Sequence, residues 1–229
     1  MEPKIIDQNF FNQEELDDIK TKVFMLKDHW KCVNTYTENN ELLITRVLPS
    51  GAYTKYFSKQ EIEANNEMMF KNFSYYYDKI RNKLSSFFNI PINYANSLQY
   101  PGFHIFLNNN GNNKIVRPVS NFHLDVFPKL KFRLAPGEIQ SVIIPITLPS
   151  NGSYLLFNNS SDRTIHNLNR SVSRLESDKV FEYTTGMMAI WPANLPHSIG
   201  PFTLENSSES RITMQMHINI ESAKGTIFW

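Results

Sequence analysis

A histidine and an aspartate two positions apart, His123-Leu124-Asp125, are followed far downstream by His197 and then by Arg211-Ile212-Thr213. On a strand, residues i and i+2 share a face, so the imidazole at 123 and the carboxylate at 125 reach one point. That pair of donors suits a first-row divalent metal. Alone it carries little weight. Six histidines and eight aspartates in 229 residues give about 0.2 such matches by chance at ordinary composition. His197 follows Gly186-Met-Met-Ala-Ile-Trp191-Pro-Ala-Asn-Leu-Pro196, a turn, a buried strand and a constrained loop that presents it at a strand edge. It reads either as a core histidine bonded to backbone or as a third ligand. Two histidines and one carboxylate leave the far side of a metal open. That suits non-haem Fe(II), whereas structural zinc is closed by four protein ligands.

The segment from Arg211 to Ile220 alternates without error. Arg211, Thr213, Gln215, His217 and Asn219 take one face; Ile212, Met214, Met216, Ile218 and Ile220 take the other. Two readings stand level for it. The polar face meets water, as on a half-exposed strand, or it lines the inside of a barrel. In the second case the Arg211 guanidinium holds a carboxylate through two parallel hydrogen bonds and the Thr213 hydroxyl adds a third.

The elements that must position these residues fall into two regions. In the first third, a helix is predicted from about Asn12 to Lys27, with Leu16, Ile19, Val23, Phe24 and Leu26 as its apolar stripe. Ser58-Lys-Gln-Glu61 has the form of a capping box. It opens a second helix to about Phe88, with a break allowed within it, carrying Met68, Met69, Phe70, Phe73, Tyr76, Ile80 and Leu84 toward a core. Glu41 to Tyr53 reads as strand and turn. From about Asn96, six or so short strands alternate with turns, a pattern of antiparallel sandwiches and barrels. The expected organisation is a single domain over 1–229, mainly β with flanking helices, with helical support in 1–95 and a strand core in 96–229. The polar stretch Ser160 to Tyr183, with Asp162, Arg163, His166, Arg170 and Arg174, reads as a solvated insertion or a lid.

Composition excludes several classes. The formal charge of +1 and the absence of a basic run speak against nucleic acid as a partner. No segment reaches the roughly 20 apolar residues of a membrane span, and the start lacks the apolar stretch of a signal peptide. Cys32 is the only cysteine, so no intrachain disulfide forms. A cytoplasmic protein without membrane attachment is expected.

On His123-Leu124-Asp125, His197 and Arg211-Ile212-Thr213, taken in that order, the chain resembles the Fe(II)/2-oxoglutarate-dependent dioxygenases. The resemblance covers roughly 96–220. It implies a double-stranded β-helix, a jelly roll of the cupin type, with the first-third helices packed outside. It implies His123, Asp125 and His197 as iron ligands, and Arg211 with Thr213 on the far carboxylate of 2-oxoglutarate. Dioxygen and a C–H substrate complete the set, with succinate and CO2 released. Halogenating members carry a small residue where Asp125 stands, so its carboxylate implies hydroxylation or a related oxidation. The arginine also sets the chain apart from the demethylase branch, where a lysine elsewhere in the barrel often binds the co-substrate.

The expected substrate is a small molecule, an amino acid or natural-product intermediate. A peptide or protein hydroxylase and a non-catalytic cupin-like binding protein are the alternatives. Tyr100 and His104, placed with Gly102 on one strand face, and Trp191 are candidates for the pocket wall. Arg117, Arg133 and Arg163 are candidates for an anionic substrate group. His29, His166 and His217 have no ligand partner at a useful spacing.

Overall fold

The segment Ser210–Ile220 organises the molecule. Its apolar residues Ile212, Met214, Met216 and Ile218 are fully buried in the main hydrophobic core, and its polar residues Arg211, Thr213 and Asn219 are buried on the opposite face. Of the two readings of this strand, the structure selects the interior one, and the water-facing alternative is set aside. The structure is a computed structural model that describes residues 2–36, 42–49, 58–107, 114–115, 122–125, 138–152, 154–158 and 179–229.

In chain order the elements are β1 (Lys4–Asp7), α1 (Gln13–Met25), β2 (Lys31–Tyr36), β3 (Leu42–Leu48), α2 (Lys59–Phe88), β4 (Ile92–Tyr94), β5 (Gly102–Leu107) and β6 (Lys114–Ile115). There follow β7 (Glu138–Thr147), β8 (Tyr154–Phe157), β9 (Lys179–Glu182), β10 (Met188–Pro192), β11 (His197–Ile199), β12 (Phe202–Thr203), β13 (Ser210–Ile220) and β14 (Gly225–Phe228). The large sheet runs β1-β10-β7-β13-β5-β3-β2, and β14 extends it by pairing with β13 and β4. Facing it, a smaller sheet runs β11-β8-β9. This is the two-layered, mainly antiparallel β architecture expected, with more strands than the sequence disclosed. In the first third, β3 is the strand read from Glu41 onward, and β1 and β2 are additional to it.

Both helices begin with reciprocal capping. The Asn12 side chain accepts from the Glu15 amide and the Glu15 carboxylate accepts from the Asn12 amide; Ser58 and Glu61 do the same for α2. α2 is unbroken over its 30 residues, and Asn89 closes it in the left-handed conformation at φ 54°. It buries Ile62, Met69, Phe73, Tyr76, Tyr77, Ile80 and Leu84, one face at helical spacing. That face and Leu16, Ile19 and Val23 of α1 cover the outer side of the large sheet: Phe103, Ile105, Val142, Ile144, Met188, Ile190 and the apolar row of β13. Each such buried side chain contributes about 1.5–3 kcal/mol relative to exposure, so the helices fix which way β13 faces. Between the sheets lies a second cluster, Ile143, Leu155, Phe157, Tyr183, Met187, Ala189, Trp191 and Leu195.

Candidate metal centre

Residues Phe122 to Asp125 do not form a regular strand, contrary to the sequence expectation. The segment is held by three backbone hydrogen bonds to the loop and strand that carry His197. His123 N–H donates to the His197 carbonyl at 2.9 Å, His197 N–H to the His123 carbonyl at 3.0 Å, and Asp125 N–H to the Ala193 carbonyl at 2.9 Å. That narrow bridge still sends the 123 and 125 side chains the same way, as alternation requires. Ligand atoms of His123, Asp125 and His197 lie within 4.8 Å of one another. Nε2 of His197 stands 3.4 Å from Asp125 Oδ2, and Nε2 of His123 stands 3.9 Å from Asp125 Oδ1. The imidazole rings of His123 and His197 are 4.4 Å apart between centroids.

The surroundings prepare these groups for a cation. His197 Nδ1 sits 3.0 Å from the Leu195 carbonyl, which keeps a proton on Nδ1 and leaves the Nε2 lone pair facing Asp125. Asp125 Oδ2 accepts a hydrogen bond from Ser141 Oγ at 2.6 Å, and Ser141 Oγ meets His217 Nδ1 at 3.2 Å. Burial opposes charge on Asp125, but His197, His217 and His123 and the Ser141 hydroxyl outweigh it, holding the carboxyl at about 2. Burial pushes His197 down to about 4 against the pull of Asp125, and burial likewise lowers His217. At neutral pH the pair is an anionic carboxylate beside a neutral imidazole, the form a metal takes up without displacing protons.

Arg211 is the largest fully buried side chain among the described residues. One terminal nitrogen, Nη2, donates to the Tyr183 hydroxyl, while Nε and Nη1 have no hydrogen-bond partner among the described residues. Its Cζ lies 5.6 Å from the centroids of Phe106 and Phe202 and 5.8 Å from that of Tyr183. Aromatic faces stabilise a cation, yet a buried guanidinium with two unmet donors remains incomplete. A carboxylate accepting two parallel hydrogen bonds is the group that completes it. Thr213 is fully buried, two residues on and on the same face, with Gln215 Nε2 donating to its Oγ1 at 3.2 Å. His104, opposite Thr213 across β5 and β13, joins the two regions. Its burial, then the charge of Arg211, drive it down to about 3, while it also feels Asp125, His123 and His217.

Of the pocket candidates, His104 and Trp191 reach the site. The Trp191 ring stands 5.2 Å from that of His197, and its Nε1 is buried with no partner among the described residues. Tyr100 does not. It packs on the helix side against Tyr94, Tyr77 and Phe70, at 5.0, 5.8 and 6.4 Å between centroids. Pro101 precedes the first strand residue, Gly102, so strand alternation does not extend back to it. His29 is exposed on a short 3-10 turn away from these groups. The Asn108–Asn113 loop, Arg117, Val126, Phe127, Arg133 and residues 159–178, which include Asp162, Arg163, His166, Arg170 and Arg174, lie outside the described residues.

Ser141, His217 and Tyr183 were not singled out from sequence as site residues. Counting by twos from Arg211 places His217 on the interior face, a signal that was present. Ser141 had none, lying in a β-branched run that reads only as buried strand.

No protein-family model matches the chain, and no curated protein does. Among solved structures, SnoN in complex with Fe3+, alpha ketoglutarate and nogalamycin RO is similar at 11% identity over 93% of this chain and 77% of its own, with a TM-score of 0.54. A second structure of SnoN, described as a non-heme alpha ketoglutarate dependent epimerase from nogalamycin biosynthesis, aligns at 10% identity over 94% and 77%, with a TM-score of 0.53. An oxidoreductase of the 2OG-Fe(II) oxygenase family from Burkholderia pseudomallei aligns at 11% identity over 93% and 83%, with a TM-score of 0.49. The architecture shared with SnoN is the double-stranded β-helix with outer helices.

Proposed function

We propose that this chain, which has the fold of the Fe(II)/2-oxoglutarate-dependent oxygenases, is an enzyme of that kind that hydroxylates a C–H bond of a small molecule. The observation that carries the proposal is Arg211: a buried guanidinium with two donors unmet among the described residues, linked to a His-Asp-His cluster through His104, which feels the charges of both Arg211 and Asp125. SnoN, a fold neighbour solved with Fe3+ and alpha ketoglutarate, supports the same pair of ligands here.

His123, Asp125 and His197 would hold Fe(II), with Ser141 fixing the Asp125 carboxylate and the Leu195 carbonyl fixing the tautomer of His197. Arg211 would take the far carboxylate of 2-oxoglutarate, with Thr213 beside it. Bound together, Fe(II) and 2-oxoglutarate supply oxidation by dioxygen, with decarboxylation to succinate and CO2 and hydroxylation of the substrate. Trp191 and Phe157 pack against His197 and keep water from its side of the cluster.

The test is iron-dependent conversion of 2-oxoglutarate to succinate in air, with candidate products screened by mass for the gain of one oxygen. Wild type is expected to form succinate and Asp125→Ala to form none. Equal succinate from both would overturn the assignment.

A further inference from the structure

We propose that the interior face next to the metal centre carries a substrate subsite for a flat group with a hydrogen-bond donor and acceptor side by side, such as a carboxamide or lactam, built from the Trp229 indole and the Gln99 carboxamide. It rests on the oxygenase reading above and names a substrate class for it.

Trp229 lies against the inner face of the large sheet. Gly102 pairs with Gln215 across β5 and β13, on the face that carries His104 and Arg211. A Cβ at Gly102 would fall 1.7 Å from Cζ3 of Trp229. Only a residue without a side chain lets the ring lie that close. The indole also stands 5.7 Å from the His104 ring between centroids, and His104 is opposite Thr213, two residues on from Arg211. Trp229 is half-exposed whereas His104 is buried, which places the indole between the interior and solvent.

Gln99 is tied to it. The Trp229 backbone N–H donates to the Gln99 carbonyl at 2.9 Å. On either side, Asn66 of α2 donates to the Leu98 carbonyl at 2.8 Å and accepts from the Tyr100 amide at 2.9 Å, so the backbone flanking Gln99 is anchored to the helix. Gln99 is 5% exposed, yet neither Nε2 nor Oε1 has a hydrogen-bond partner among the described residues. A buried amide with both ends unmet lowers stability, and folded chains rarely keep one without use for it. What satisfies both ends at once is a second planar donor–acceptor pair, and the indole face covers the apolar part of such a molecule.

The test titrates benzamide and acetophenone, which differ in the amide N–H donors, into the anaerobic protein loaded with Fe(II) and 2-oxoglutarate, followed by saturation-transfer NMR. Benzamide is expected to bind about tenfold more tightly than acetophenone. That preference is expected to vanish in Gln99→Leu, and both probes are expected to weaken in Trp229→Ala. Equal binding of the two probes, no binding of either, or a preference that survives Gln99→Leu overturns the subsite. Thermal unfolding gives a second sign. Gln99→Leu is expected to unfold at a higher temperature than wild type without probe, and a lower one would show that the protein itself satisfies the amide. The visible charge-transfer band of Fe(II)-bound 2-oxoglutarate, read in the same samples, reports separately on the oxygenase reading.

Discussion

Asp125 and Arg211 are opposite kinds of buried charge, and that difference decides what each does. Asp125 is an anion held among polar groups: Ser141 donates to it directly, and the imidazoles of His123 and His197 stand 3.9 and 3.4 Å from its oxygens. Arg211 is a cation given aromatic faces, one phenol and, among the described residues, no anion. Removing Ser141 leaves Asp125 free to turn. Ser141→Ala is expected to weaken Fe(II) about tenfold, measured by chelator competition; unchanged affinity would show that the hydroxyl has no part in positioning the ligand. Arg211→Met removes a charge that no carboxylate among the described residues pairs. It is expected to weaken 2-oxoglutarate at least 100-fold by calorimetry, yet to leave the unfolding temperature of the ligand-free protein unchanged or higher. A large loss of stability in Arg211→Met would mean that the guanidinium serves the fold and not a ligand.

At the scale of elements, α2 does more than cover the sheet. Asn66 reaches from its buried face to the backbone just ahead of β5, bonding the Leu98 carbonyl and the Tyr100 amide. It therefore sets where β5 begins and which of its residues face inward. Asn66→Ala strands one buried and one part-buried backbone group and is expected to cost about 2 kcal/mol in urea unfolding; a loss below about 0.5 kcal/mol would contradict this. The sequence disclosed elements unevenly for physical reasons. α2 was legible because a capping box and eight turns of spacing repeat one message. β13 was legible in pattern but not in orientation, because alternation is the same whether the polar row meets water or a buried site. The segment at 122–125 was misread as strand because two like-facing residues need only one bridge, not a ladder. Tyr100 was misplaced because Pro101 breaks the alternation on which its assignment to the pocket depended.

For the whole molecule, the buried imidazoles couple folding to pH. Burial holds His104 at about 3 and His197 at about 4, below the ordinary 6.5. The unfolded chain takes up these protons below about 6.5 while the folded chain does not, so stability falls as pH drops from there toward the folded values. Each imidazole removes about 1 kcal/mol by about pH 5.5. Asp7, Glu15 and Asp18 add to the loss at lower pH. Glu15 has burial working against its charge, but its bonds to Lys79 and Asn12 hold its carboxyl below the ordinary range; Lys83 does so for Asp7 and Lys22 for Asp18. Their contribution is full above the ordinary carboxylate range and lost as pH falls through the lowered values. Calorimetry of metal-free protein should show the unfolding temperature falling by roughly 5 °C between pH 7 and 5.5; a flat profile would mean that the imidazoles are not buried as described. No helix among the described residues is long and apolar enough to cross a membrane.

The most direct test of the central claim is an anaerobic titration of the protein with Fe(II) and 2-oxoglutarate, watching the visible region. A charge-transfer band is expected that saturates at one equivalent of each. It should be absent in Asp125→Ala and shifted to much higher 2-oxoglutarate concentration in Arg211→Met. A folded wild-type protein that develops no band would contradict the account.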